Sequence, residues 1–82
     1  MFQISDAEQP LFEAAIYNRN VRALVKDNRS HPFFDDKWAD VMIFEVSGRD
    51  EAEVRAKLAR RYPPELGFVL EVVVPARLAV AA

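Results

Sequence analysis

The sequence predicts a small α/β or α+β domain, a two-layer sandwich with helices on one side of a short sheet of two or three strands. Two short apolar runs have the length of strands, and a capped helix-period segment ending at Pro63-Pro64 lies between them. A longer helix-period segment precedes both runs. This order predicts a right-handed β-α-β unit over about 40–74, packed against a long N-terminal helix over about 9–29.

The long first helix is predicted from apolar residues at spacings of three and four. These residues are Ala14, Tyr17, Val21, Leu24 and Val25. Asn18 and Asn20 are poor helix formers, so a local weakness is expected there, and Pro32 ends the helix. Residues 2–5 alternate between apolar and polar, which is compatible with a short additional strand.

The second helix is predicted to begin at Asp50, the N-cap of a capping box completed by Glu53. Its buried face is expected to carry Val54, Leu58 and Tyr62. In the first strand, alternation places Phe44 and Val46 on one side and Ile43 on the other. In the second strand, simple alternation groups Phe68, Leu70, Val72 and Val74 on one face.

The other face of the predicted sheet is apolar but carries two carboxylates. Its residues are Val41, Ile43, Glu45, Val69, Glu71 and Val73. If no helix covers this face, it is typical of an interaction surface; alternatively, the first helix covers it and the glutamates lie at its rim. Glu45 and Glu71 would lie close together in a parallel pair, but catalysis by two carboxylates needs a pocket that a chain of this size rarely encloses.

The composition excludes several classes of protein. The 82 residues suit one domain spanning 1–82, with 76–82 expected as a flexible apolar tail, and the apolar and charged fractions, 51% and 29%, are those of a globular chain. A net charge of −2 gives no general attraction to nucleic acid or anionic membranes, and the absence of cysteine excludes disulfides and thiolate metal sites. With no signal-like segment or membrane-length apolar run, a cytoplasmic protein with no membrane contact is expected.

An aromatic connection joins the first helix to the first strand. Phe33, Phe34 and Trp38 in this connection are candidate anchors for a protein partner, since exposed loop aromatics often serve interfaces. The alternative, which the small core favours, is a lid folded over one end of that core.

One His residue and three aspartates form the cluster best suited to a metal or a ligand in this sequence. They are His31, Asp35, Asp36 and Asp40. Carboxylates with imidazole suit a hard divalent cation, but the spacing matches no ligand motif, and a solvated loop is the simpler interpretation. No cofactor, catalytic residue or metal site is therefore assigned.

Basic residues recur along the predicted first helix. Arg19, Arg22, Lys26 and Arg29 stand at spacings of three and four, and such a stripe could follow a phosphate backbone. The net acidic charge favours a solvated helix face, and the chain carries no recognised nucleic-acid-binding motif.

The C-terminal residues 78–82 end in Ala81-Ala82. This ending resembles the bacterial tag that trans-translation adds to stalled proteins, although Val80 departs from its commonest form. The resemblance implies recognition by a Clp-type AAA+ unfoldase, with Ala81 and Ala82 as the degron, and it concerns turnover only.

These features favour a small non-catalytic bacterial interaction module, either a homo-oligomer or an accessory subunit of a larger complex. The observations behind this hypothesis are the size of the chain, the apolar sheet face, the apolar tail, and the absence of a phosphate loop, nucleophile elbow or metal motif at the strand–helix junctions. The alternatives are a nucleic-acid-binding module that uses the basic helix face, or a ligand- or metal-binding protein with a site near His31.

Overall fold

The computed structural model describes residues 9–76, which form an α+β fold with a three-stranded antiparallel sheet and two α-helices. The strands and helices in chain order are β1 (Leu11–Asn18), α1 (Arg19–Lys26), β2 (Met42–Ser47), α2 (Glu51–Arg61) and β3 (Phe68–Pro75). Short 3-10 helices occupy Asp36–Ala39 and Pro64–Leu66. The expectation of a short sheet with two helices is confirmed.

The strand order is β2-β1-β3, and β1 pairs antiparallel with both neighbours. The predicted β-α-β unit of paired parallel strands over 40–74 is therefore wrong. Strand, helix and strand do follow one another there, but α2 carries the chain past β1, so that β2 and β3 lie on opposite edges of the sheet.

The long helix predicted over 9–29 is also wrong, because its first half is the central strand. Phe12, Ala14 and Ile16 alternate along β1 and are buried on one face. The helical spacing of this segment is compatible with either structure, and hydrogen bonding to a strand on each side decides in favour of the strand.

Asn18 connects β1 to α1. Its side chain is fully buried, and its Oδ1 accepts hydrogen bonds from the backbone N–H groups of Asn20 (2.9 Å) and Val21 (3.0 Å), as an N-cap does. Its Nδ2 donates to the Leu66 carbonyl at 3.0 Å. Gly67 has φ +99°, and a Cβ there would lie only 2.7 Å from Asn18 Oδ1, so this close approach needs glycine.

A β-bulge in β3 changes which side chains face the core. Ala15 pairs with Val72 and Ile16 pairs with Leu70, so Glu71 is an extra residue without a partner position on β1. Beyond the bulge the alternation reverses, and Val73 becomes buried where simple alternation predicts Val72.

Helix α2 follows its sequence signals. Asp50 Oδ1 accepts from the Glu53 N–H at 2.9 Å, and Glu53 Oε1 accepts from the backbone N–H of Arg49 at 2.7 Å, one residue before the position expected for a capping box. This second hydrogen bond is the main reason that the pKa of Glu53 lies below its usual value. Val54 and Leu58 are buried, as predicted.

The core lies between the sheet and α2 and is closed at one end by aromatic rings. Phe68 is central to this cluster: the ring centroids of Phe34, Trp38 and Tyr62 lie 5.1, 5.2 and 5.3 Å from its own. Phe44 stacks on Tyr62 at 5.4 Å. These edge-to-face and stacked contacts fix the connection between α1 and β2 against the core.

Several sequence-based expectations lie outside the described residues. They are the short strand at 2–5, residues 77–82 of the predicted tail, and the degron at Ala81 and Ala82. The first residue of that predicted tail, Ala76, is buried, and its N–H donates to the Leu11 carbonyl at 2.8 Å.

Candidate functional site

The sheet face opposite α2 is the candidate functional site, and we call it the open face. Its central positions are Glu13, Ala15, Ile43, Glu45, Val72 and Val74. Ile43, Val72 and Val74 are 62%, 44% and 41% exposed. Apolar side chains that lie together on one exposed face of a small domain indicate contact with a partner more often than apolar residues scattered singly.

The side chains of the open face are ordered in rows across the three strands. One row is Ile43, Ala15 and Val72, and the next is Glu45, Glu13 and Val74. The small Ala15 is itself buried and lies between two larger exposed side chains. The apolar row is therefore a continuous strip across the sheet.

Two carboxylates interrupt this apolar surface. Glu13 and Glu45 occupy directly opposite positions on β1 and β2, and opposite residues of an antiparallel pair have neighbouring side chains. The ion pairs found within residues 9–76 join Arg49 to Glu53 and Glu51 to Arg55, so neither Glu13 nor Glu45 has a cationic partner there. The open face thus carries two neighbouring carboxylates that form no ion pair with the described part of the chain.

One end of the open face is closed by Arg22. Its guanidinium carbon lies 3.7 Å from the centre of the Tyr17 ring, and its Nε donates to the Ala39 carbonyl at 2.8 Å. Tyr17 pairs with Val69 in the row next to Ala15, and both are half-buried. The cation–π contact holds α1 at this edge and limits the accessible face to the rows beyond it.

The structure separates the residues predicted for this face. Ile43 lies in its apolar row on the edge strand β2, Val69 lies in the Tyr17 row, and Val41, 40% exposed, precedes β2. Val73 does not belong to it: the bulge turns Val73 into the core, where it is 5% exposed. Glu71 occupies the bulge on the far edge strand, so the predicted closeness of Glu45 and Glu71 is wrong.

Four members of this face are not among the residues predicted for it: Glu13, Ala15, Val72 and Val74. The predicted first helix includes Glu13, although the alternation of Phe12, Ala14 and Ile16 is a strand signal. Simple alternation places Val72 and Val74 on the opposite face, with Phe68, because no local feature of the β3 sequence indicates the bulge.

The aromatic connection behaves mainly as a lid. Phe34 and Trp38 are half-buried in the ring cluster over the core, whereas Phe33 is 85% exposed. Of the three aromatic residues predicted as partner anchors, Phe33 alone has a largely free ring in the structure.

The polar residues near His31 are engaged in local backbone structure. His31 Nδ1 accepts from the N–H groups of Phe33 (3.0 Å) and Phe34 (3.3 Å). Asp35 Oδ1 accepts from the Lys37 N–H at 2.9 Å and caps the 3-10 helix that includes Asp36. Asp40 is exposed, and no group of three or more potential metal ligands occurs within residues 9–76.

The predicted basic stripe is shorter than expected. Arg19 and Lys26 are exposed at the two ends of α1, and Arg22, between them, is held by Tyr17 and Ala39. Arg29 lies beyond the end of the helix, after a turn in which Asn28 has φ +60°. The stripe thus presents two free cations on α1 in place of the predicted four.

A shallow groove of about 730 Å³ runs between β2 and α2 on the core side of the sheet. Phe44 and Tyr62 form its floor with Leu58, and Lys57, Arg60 and Arg61 lie along the helix rim. Lys57 Nζ donates to the Ser47 carbonyl at 2.7 Å. Glu45, on the edge strand, borders both this groove and the open face.

Within residues 9–76, neither helix has the length and hydropathy needed to cross a membrane. Comparison of the chain with protein-family models, with curated proteins and with solved structures gives no significant match.

Proposed function

We propose that this chain is a small non-catalytic interaction module that binds a protein partner through the open face of its sheet, as an accessory subunit of a larger complex. The observation that supports the proposal is the exposure of Ile43, Val72 and Val74 on one side of a sheet whose other side already forms the core.

The fold itself does not explain why the open face is apolar. The domain obtains its core from the opposite side, where Val54 and Leu58 of α2 pack on buried residues of β1. A polar residue with good strand propensity, such as Thr, would suit these exposed positions and would improve solubility. Apolar side chains retained there are expected when another surface covers them.

The chemistry of the described residues supports binding more than catalysis. The imidazole of His31 accepts backbone hydrogen bonds, and Glu13 and Glu45 lie on an open surface and not in a pocket. General acid–base catalysis needs groups held at a site that excludes water and positions a substrate. The open face presents an exposed apolar surface across three strands, which is suited to a protein interface.

The test is affinity capture of the N-terminally tagged full-length chain from the cells in which it naturally occurs, with the wild type and Ile43→Asp compared. A partner should be captured in a constant molar ratio by the wild type and lost from Ile43→Asp, because a charge placed in the apolar row is costly to desolvate when a partner covers it. Leu66→Asp is the matched control, since Leu66 is 49% exposed on the turn before β3, away from the central positions of the open face.

The control variant should retain the partner. A partner held equally by wild type and Ile43→Asp would show that the open face is not the binding surface. Loss of the captured material on nuclease treatment would favour the nucleic-acid alternative, which Arg19→Glu and Lys26→Glu would then test.

A further inference from the structure

The open face has the dimensions of a helix-binding surface. Adjacent strands lie about 4.8 Å apart, so three strands span about 10 Å between the outer two, which matches the diameter of one α-helix. The opposite face of the same sheet is covered by one helix, α2, of 11 residues. A second helix laid on the open face would complete a three-layer arrangement with no rearrangement of the sheet.

The charge of the open face restricts which helix can bind there. Glu13 and Glu45 lie opposite each other, and they have no cationic partner among the described residues. A covering surface must therefore either leave both carboxylates in water at its rim or supply a cation. An apolar helix without a cation would bury two neighbouring negative charges, which is unfavourable.

A second copy of the chain does not satisfy this requirement. In a two-fold dimer both copies present the same patch, so each copy offers the other a second carboxylate pair and no described cation on that face. Among the described residues, Arg22 already lies on Tyr17 at the closed end, and Lys57, Arg60 and Arg61 line the groove on the core side of the sheet. A face with this charge is a poorer complement to itself than to a surface that carries a cation, which favours a different partner.

We infer that the open face binds an amphipathic α-helix of a partner protein, whose apolar stripe covers Ala15, Ile43 and Val72 and whose Lys or Arg lies over the Glu13–Glu45 pair. This inference rests on the proposed function and names the partner's chemistry. The carboxylate row lies two residues along the strands from the apolar row, about 7 Å. One helical turn spans about 5.4 Å, so the cation follows or precedes a stripe residue by three or four positions.

The experiment is selection from a displayed library of helical peptides of about 15 residues, long enough to cover the face, against the immobilised full-length chain. Enriched sequences are expected to carry an apolar stripe and a Lys or Arg three or four residues from a stripe position. For the best synthetic peptide, replacement of that basic residue by Glu should weaken binding at least about tenfold, measured by calorimetry.

Reversing the charge of Glu13 and Glu45 tests whether these carboxylates select the basic residue of the peptide. A chain with Glu13→Lys and Glu45→Lys should prefer the Glu-containing peptide over the basic one. Glu65→Lys is the control, because Glu65 is an exposed carboxylate on the turn before β3, and this variant should keep the wild-type preference.

Two results would overturn the inference and leave the proposed function standing. One is enrichment of peptides that lose binding to Ile43→Asp but show no basic preference and no response to the charge exchange. The other is a dimer of the wild-type chain in sedimentation at pH 7 that Ile43→Asp dissociates, since the occupant would then be a second copy. If the captured partner survives Ile43→Asp and no enriched peptide depends on Ile43, both the inference and the proposed function fail.

Discussion

The two faces of the sheet are built from the same three strands, yet one is buried and the other is exposed in the described part of the chain. On the core face, Phe12, Ile16 and Phe68 are buried beneath α2 and the aromatic connection. On the open face, Ile43, Val72 and Val74 stay exposed in the described part of the chain. The chain between β2 and β3 supplies one crossing helix, and α1 is held at the sheet's end by Asn18 and Arg22. Topology thus decides which face is covered, whereas hydrophobicity alone would not distinguish them.

A charge placed on each face in turn gives the largest expected contrast. Leu58→Asp puts a carboxylate into the core beneath α2 and should cost more than about 4 kcal/mol, from lost packing and an unpaired buried charge. Ile43→Asp, on the exposed face, should cost less than about 1 kcal/mol. Urea unfolding followed by circular dichroism measures both. A Leu58→Asp protein as stable as Ile43→Asp would show that the buried face of α2 is assigned wrongly.

A change at Asn18, where β1 meets α1, should have a smaller effect on the free energy of unfolding. Asn18→Ala removes the cap of α1 and the bond to the Leu66 carbonyl, and should lower the free energy of unfolding by about 2 kcal/mol. Asn20→Ala is the matched control: Asn20 is exposed, its bond to the same carbonyl is 3.4 Å long, and its loss should cost less than about 0.5 kcal/mol. Equal losses in thermal melting would contradict the role of Asn18 as the connecting residue.

Elements governed by local signals were predicted well. Helix α2 begins at Asp50 and buries Val54 and Leu58, as its capping residues and apolar spacing indicate. Strands β2 and β3 contain the residues that alternation places in the first and second predicted strands. In these segments neighbours in sequence supply the caps, the helical spacing and the proline stop, so no knowledge of the rest of the chain is needed.

The segment 9–29 shows where local signals are insufficient. Residues 11–18 satisfy both a helical spacing and a strand alternation, and pairing with two distant strands selects the second. Asn18, a poor helix former, does coincide with a structural boundary, but it is the N-cap of α1 and not a weakness within a longer helix. Ile43 was therefore found as part of the site, whereas Glu13, on the misassigned strand, was not.

The bulge accounts for the remaining error in the site. An extra residue in an edge strand is specified by the register with its partner, here the shift at Glu71 between the pairs of Ala15 and Ile16. Because a one-residue shift exchanges the two faces, Val73 moved from the predicted interaction surface to the core, and Val72 and Val74 moved outward.

The smallest predicted effect concerns the carboxylate pair, which distinguishes the open face from the core face chemically. Glu13→Gln removes one of two like charges at directly opposite positions and should raise the free energy of unfolding by up to about 1 kcal/mol at low salt. Glu45→Gln should act similarly, but the double variant should gain little more than either single change, because each removes the same repulsion. Salt screens exposed charges, so the gain should shrink as ionic strength rises. Fully additive single effects in chemical unfolding would show that the two carboxylates do not interact, and would leave the open face without the paired charge that selects a basic helix.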